Sequence, residues 1–151
     1  YFFIIYLIIM GTIENITLHL SKYKNILNLL NQLTKCPLYD KEKFNEIITS
    51  LPINHNIYVY LENDKIIGMI TLIIERKLIH NGKYVAHIED LVVDKEYNGK
   101  GIATKLLNFA IHCTKQFDSY KIILDCSDDL IPFYLKKGFK KSANQMRINI
   151  L

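Results

Sequence analysis

Hydrophobic positions along this chain switch between two periods. In "SKYKNILNLLNQLTK", Ile26, Leu29, Leu30 and Leu33 recur three or four residues apart, the spacing of one buried helical face, with Ser21 as a candidate cap. Asp40 offers a second cap ahead of Phe44, Ile47, Ile48 and Leu51, and Pro52 follows as a stop. Upstream, "ENITLHL" alternates loosely and predicts a first strand. Three longer strand-like runs come next. "NIYVYLEN" and "KIIGMITLIIERKLI" flank a turn at Asn63-Asp64, and "YVAHIEDLVVD" follows a turn at Asn81-Gly82. Ile102, Leu106, Phe109, Ala110 and Cys113 then return to helical spacing. "YKIILDC" is short, apolar and β-branched, a buried strand. "DDLIPFYLKKGF" reads as a helix with acids at its start, Pro132 in its first turn and Gly138 at its end. "QMRINIL" is the candidate last strand. The predicted order is βααβββαβαβ. Hairpins followed by a β–α–β crossover imply an α/β domain, a mixed central sheet with helices on both faces.

One junction carries chemistry. In "KEYNGKGIATKLLNFAI", Gly99, Gly101 and Ala103 strip side chains from the backbone where a helix begins. Free N–H groups and the positive end of the helix dipole favour a bulky anion there, although an ordinary tight turn has the same composition. The segment lacks the G-x-x-x-x-G-K-[ST] of a nucleotide-binding loop. It also follows a strand meander, unlike a dinucleotide fingerprint, which follows the first strand of a parallel repeat.

Composition narrows the partner. A chain of 151 residues, half apolar and 23% charged, suits one globular domain with a real core. Its formal charge of +4 fits an anionic small molecule, and no dense Lys/Arg stripe marks a nucleic-acid surface. Cys36, Cys113 and Cys126 have no C-x-x-C spacing and cannot all pair, so they read as small buried hydrophobes in a reducing compartment, without a metal. Residues 1–10, "YFFIIYLIIM", are set apart as an apolar extension, with residues 11–151 as the domain and Met10 a candidate initiator. The extension is short of the ~20 residues of a membrane-spanning helix. It also lacks the basic start and small-residue cleavage site of a signal peptide. A cytoplasmic protein without membrane association is expected.

The order of elements, the loop "YNGKGIATKLL" after "HIEDLVVDKEY", and the late "PFYLKKGF" together resemble the GNAT superfamily of acetyl-CoA-dependent N-acetyltransferases. At a finer level, "IIERKLIHNGKYVAHIEDLVV" followed by "YKIILDCSDDLIPFYLKKGF" is similar to the glucosamine 6-phosphate N-acetyltransferases. The likeness runs from about residue 13 onward. It implies direct transfer of an acetyl group to the amine of glucosamine 6-phosphate, towards UDP-N-acetylglucosamine, by a homodimer. It assigns the acetyl-CoA groove to Leu91, Val92 and Val93 and to Asn98, Gly99, Lys100, Gly101, Ile102 and Ala103. It assigns the sugar phosphate to Thr34, Arg76, Lys77, Glu89 and Asp90. Asp125 matches the acid that positions the amine, and Tyr134 the tyrosine beside the coenzyme sulfur. Lys100 and Lys105 also read as ordinary solvated helix-end lysines. Phe133 reads as a better core residue than Tyr134. Cys126 is not expected to carry the acetyl group, having no His/Asp partners.

Three positions depart from the family pattern. Asn98 replaces the usual Gln or Arg of the loop, and Leu130 an Asn that touches the coenzyme. The family's C-terminal arginine falls nearest Asn149, which leaves Arg147 as its candidate substitute. Two other readings compete: a GNAT enzyme acting on a peptide or protein amine, and a non-catalytic acyl-CoA-binding module. "ERK" with "HIED" looks more like a compact sugar-phosphate site than an open peptide groove, and Asp125 with Tyr134 argues for catalysis.

Overall fold

The computed structural model describes residues 11–150, so the expected extension at 1–10 lies outside the described residues. Five strands form one sheet in chain order: β1 (Thr12–Asn15), β2 (His55–Glu62), β3 (Lys65–Arg76), β4 (Tyr84–Val93) and β5 (Ser119–Ile123). The first four are mutually antiparallel and β5 runs parallel to β4, so the sheet is mixed as expected. Asn63 and Asp64 both take positive φ (49° and 62°) and close β2 onto β3, because the primed turn matches the twist of a hairpin.

Helices cover both faces. On one side, α1 (Tyr23–Leu30) and α2 (Lys41–Ser50) bury Ile26, Leu27, Leu29, Phe44 and Ile48 against Val59, Ile66 and Met69. Asp40 caps α2 as expected, accepting from the Lys43 N–H at 2.8 Å. On the other side, α3 (Ile102–Lys115) and the short α4 (Ile131–Leu135) bury Ile102, Leu106, Leu107, Ala110 and Tyr134 against Ile67, Ile70, Leu72, Ala86 and Ile88. Gly68 permits the approach of α3. A Cβ there would stand 3.0 Å from both the Ile102 and Leu106 side chains.

Three expectations are corrected. The first strand is Thr12–Asn15 rather than "ENITLHL". The Asn15 side chain accepts from the Thr17 N–H at 3.0 Å and turns the chain into a 3₁₀ segment, Ile16–Lys22. Ser21 caps nothing, since Tyr23–Leu30 starts after Lys22 without a side-chain cap. Finally, residues 139–150 form no strand, and the order ends βααβββαβα. Met146, Ile148 and Ile150 are 91%, 82% and 86% exposed, and this run pairs with no strand among the described residues.

Candidate active site

The site arises where two parallel strands part. Pairing of β4 with β5 ends at His87–Ile123, yet β4 continues to Val93 while the chain beyond β5 turns away. Between the pairs Met69–Val92 and Thr71–Glu89, β3 has one residue and β4 has two, Asp90 and Leu91. This is a β-bulge, and Asp90 takes a left-handed φ of 50° within it. The result is a cleft of about 300 Å³ that includes Glu89, Asp90 and Leu91 on β4, Asp125 and Cys126 after β5, Leu33 after α1, and Leu130 and Tyr134 near α4.

Acids dominate this cleft. Partial burial, and then the charges of Asp90 and Asp125, push the Glu89 carboxyl above its ordinary range, while His87 pulls it the other way. Asp125 Oδ2 accepts a 2.8 Å hydrogen bond from the Gln145 side-chain amide. Tyr134 is 8% exposed and packs edge-on against Phe133 and Phe139, with ring centroids 5.0 and 5.8 Å away. Burial raises its hydroxyl above the usual tyrosine value, with Cys126 adding to the shift, so the group is a proton donor at neutral pH. The expectation that Phe133 is the deeper of the two is wrong, because Tyr134 is buried and Phe133 only partly so. Cys126 is exposed at the cleft, contrary to its reading as a buried hydrophobe, while Cys36 and Cys113 are half-buried.

At the other end of β4, the chain passes through a 3₁₀ turn, Lys95–Tyr97, into the glycine loop. Asp94 fastens this junction: its carboxylate accepts from Lys65 Nζ and from the Glu96 N–H, both at 3.1 Å. Burial pushes this carboxyl up, but the Glu96 amide, the Lys65 ammonium and Gln32 outweigh it and hold it below the ordinary value. Gln32 also accepts from the Lys95 N–H at 2.9 Å. Gly101 stands at the start of α3 with φ 76°, a left-handed conformation suited to glycine. No side chain caps α3, and its first-turn N–H groups have no partner within the helix. No atom lies within 4 Å of a Cβ built on Gly99 or Gly101, so the loop has the room and the free donors that a pyrophosphate requires. Val92 is buried, with Leu91 and Val93 half-buried beside it. The two lysines are engaged locally. Lys100 lies 4.5 Å from the Tyr97 ring centroid, and Lys105 donates to the Tyr60 hydroxyl at 3.1 Å.

The structure thus brings Glu89, Asp90, Leu91, Asp125 and Tyr134 together and leaves others apart. Arg76 pairs with Tyr84 and lies over its ring at 5.6 Å, about 16 Å along β4 from Glu89. Lys77 is bound to Glu75, which also holds His87 at 2.9 Å. Thr34 is exposed, next to Leu33 in the cleft wall, and Arg147 is exposed near Gln145. Sequence reasoning missed Gln145, whose role depends on where the tail runs. It also took Leu33 for a core residue, which is 44% exposed in the cleft wall.

The chain is similar to several known proteins. Residues 24–139 match the Acetyltransferase (GNAT) family. Glucosamine 6-phosphate N-acetyltransferase of Candida albicans is 37% identical over 85% of this chain and 90% of its own length. The enzyme of that name from Trypanosoma brucei brucei is 31% identical over 86% and 90%. The crystal structure of glucosamine-6-phosphate N-acetyltransferase from Arabidopsis thaliana superposes with a TM-score of 0.84 at 34% identity, over 93% of this chain and 98% of that one. The chain shares its fold with the Arabidopsis enzyme, and it belongs to the acetyltransferase (GNAT) family.

Proposed function

We propose that the protein transfers the acetyl group of acetyl-CoA to the amine of glucosamine 6-phosphate. The observation that carries this reading is the convergence of Asp125, Glu89 and Tyr134 on one cleft at the β4 bulge, in a chain whose relatives bear that activity in their names.

The loop Asn98–Ala103 holds the pyrophosphate on backbone donors, with Leu91–Val93 alongside the pantetheine. Leu130 gives an apolar contact there in place of a hydrogen bond. The substrate amine arrives as an ammonium, which Asp125 orients and Glu89 deprotonates; a carboxyl raised above its ordinary range is the better proton acceptor. The neutral amine attacks the thioester carbonyl, and Tyr134 gives its proton to the sulfur as the C–S bond breaks. The second amine proton restores the tyrosine hydroxyl, and Glu89, which is exposed, releases the first to solvent. The acetyl group passes directly, without a thioester on Cys126.

The sugar phosphate needs cations that one protomer's cleft lacks, since Arg76 and Lys77 stand at the far end of the hairpin. We assign its recognition to a second copy in a homodimer, through the hairpin Arg76–Lys77 or through Arg147. The test is release of coenzyme A across a panel of amino sugars, with and without the 6-phosphate, and of peptides. Turnover confined to the phosphorylated sugar is expected. Comparable rates on unphosphorylated glucosamine, or a preference for peptides, would sink the reading.

A further inference from the structure

Among the described residues, the buried polar or charged residues are Thr71, Asp94 and Thr114. Two of them are satisfied: Asp94 by Lys65 and the Glu96 amide, and Thr114 by the Ala110 carbonyl at 2.9 Å. Thr71 differs. It is 2% exposed, yet its hydroxyl has no hydrogen-bond partner in the described chain. Valine has the same shape and would fill the site without a stranded polar atom, so the hydroxyl calls for an explanation. The other unpartnered buried atoms, on Asn45 and Ser119, belong to residues that do not line the cleft or pair with one that does.

Register supplies the explanation. Thr71 stands directly opposite Glu89 across the β3–β4 ladder, beside the bulge that opens the cleft. Side chains so paired have Cβ atoms about 4.5–5.5 Å apart, within reach of a direct hydrogen bond after a rotamer change or of one shared water. We propose that Thr71 is a positioning residue, whose buried hydroxyl donates to the Glu89 carboxylate, directly or through one water, and fixes it as acceptor of the substrate ammonium's proton. This rests on the acetyl-transfer reading above. The titratable groups around Glu89 are His87 and Asp90 on its own strand, Asp125 and Cys126 after β5, and Tyr134 on α4; α1 and its exit present Leu33. Asp90 and Asp125 disfavour its charge, which leaves the carboxylate in need of a neutral donor.

The experiment compares the parent with Thr71→Val and Thr71→Ser. Two readouts are taken: the pH titration of the ¹³C-labelled Glu89 carboxyl in the substrate-free protein, and the acid limb of kcat/KM. Loss of the donor should move both to higher pH by about one unit in Thr71→Val, with its Tm lower relative to the parent at neutral pH than in acid, and Thr71→Ser should restore the parent values. Should Thr71→Val fail to fold, Thr71→Ala carries the same titration. A carboxyl that titrates as in the parent once the hydroxyl is gone would overturn the inference. Because that titration uses no substrate, it decides Thr71 even if the parent leaves glucosamine 6-phosphate untouched, which would sink the functional reading instead.

Discussion

The two ends of the bulged half of β4 solve opposite electrostatic problems. At Asp94 the carboxylate is buried but fully met, by an ammonium and backbone or amide donors, and its proton affinity falls. At Glu89, five residues earlier, partial burial and then two neighbouring carboxylates raise the proton affinity. The first arrangement ties down the junction that leads into the glycine loop. The second crowds an acid with like charges, which favours its taking a proton. Burial raises the proton affinity of both carboxyls, and the sign of the nearest partners decides which way each finally shifts.

Removing charge from the acid end should have the largest effect. Asp125→Asn keeps the shape and the exposed setting, but it loses the charge that orients an ammonium. We expect kcat/KM to fall on the order of 10²- to 10³-fold with Tm within a few degrees, checked by initial rates and thermal melting. A fall of less than fivefold would remove Asp125 from the mechanism. Tyr134→Phe comes next. It deletes one hydroxyl and retains the ring contacts with Phe133 and Phe139, so both KM values should stay put while kcat drops roughly 10- to 100-fold. Turnover within about twofold of the parent would leave Tyr134 as a core residue only.

The sequence revealed the donor end better than the acid end, for a physical reason. Glycines before a periodic helix, an Asp cap at Asp40 and the Asn63-Asp64 turn are local signals, and each sits where it was expected. The acid end depends on non-local facts. The bulge at Asp90 exists only in the register of β4 against β3, and Gln145 meets Asp125 at a sequence separation of 20. The burial of Thr71 depends on tertiary packing, and "TLI" reads the same on an exposed strand. "QMRINIL" has a strand's pattern, but pattern cannot supply the neighbouring strand that would pair with it. Arg76 and Lys77 were correctly found as charges, while their distance from the cleft follows from which residue of β4 stands opposite.

At the donor end the expected effect is moderate and depends on pH. Asp94→Asn should lower stability at neutral pH by about 1–2 kcal/mol, the scale of hydrogen bonds to a charged group. That is a Tm fall of about 2–8 °C for a chain of this size. The sign follows from the depressed carboxyl. Its stabilisation is fully present above the unfolded value near 4 and is lost as pH falls through the lower folded value, so the two proteins' Tm values should converge in acid. A gap between parent and variant that stays constant down to pH 2 would mean that the Asp94 charge contributes nothing.

The smallest effect tests whether the loop is a cradle or a turn. Valine at Gly101 is a poor probe, because a β-branched residue at φ 76° is strained whatever occupies the space around it. Alanine is better. The left-handed backbone costs a non-glycine residue roughly 1–2 kcal/mol, a penalty carried by the free and the bound protein alike, so it cancels from an affinity. Among the described residues, a methyl at Gly101 would touch no atom within 4 Å beyond its two chain neighbours, so any weakening of coenzyme binding reports contact with the ligand itself. Gly138 is the matched control, with φ 88°, equally open surroundings and a place after α4. We expect both alanine variants to lose similar stability. Calorimetry with coenzyme A should then give about fivefold weaker binding for Gly101→Ala, near 1 kcal/mol, and no change for Gly138→Ala. Equal affinities in both variants would make the glycine loop an ordinary turn and move the pyrophosphate elsewhere.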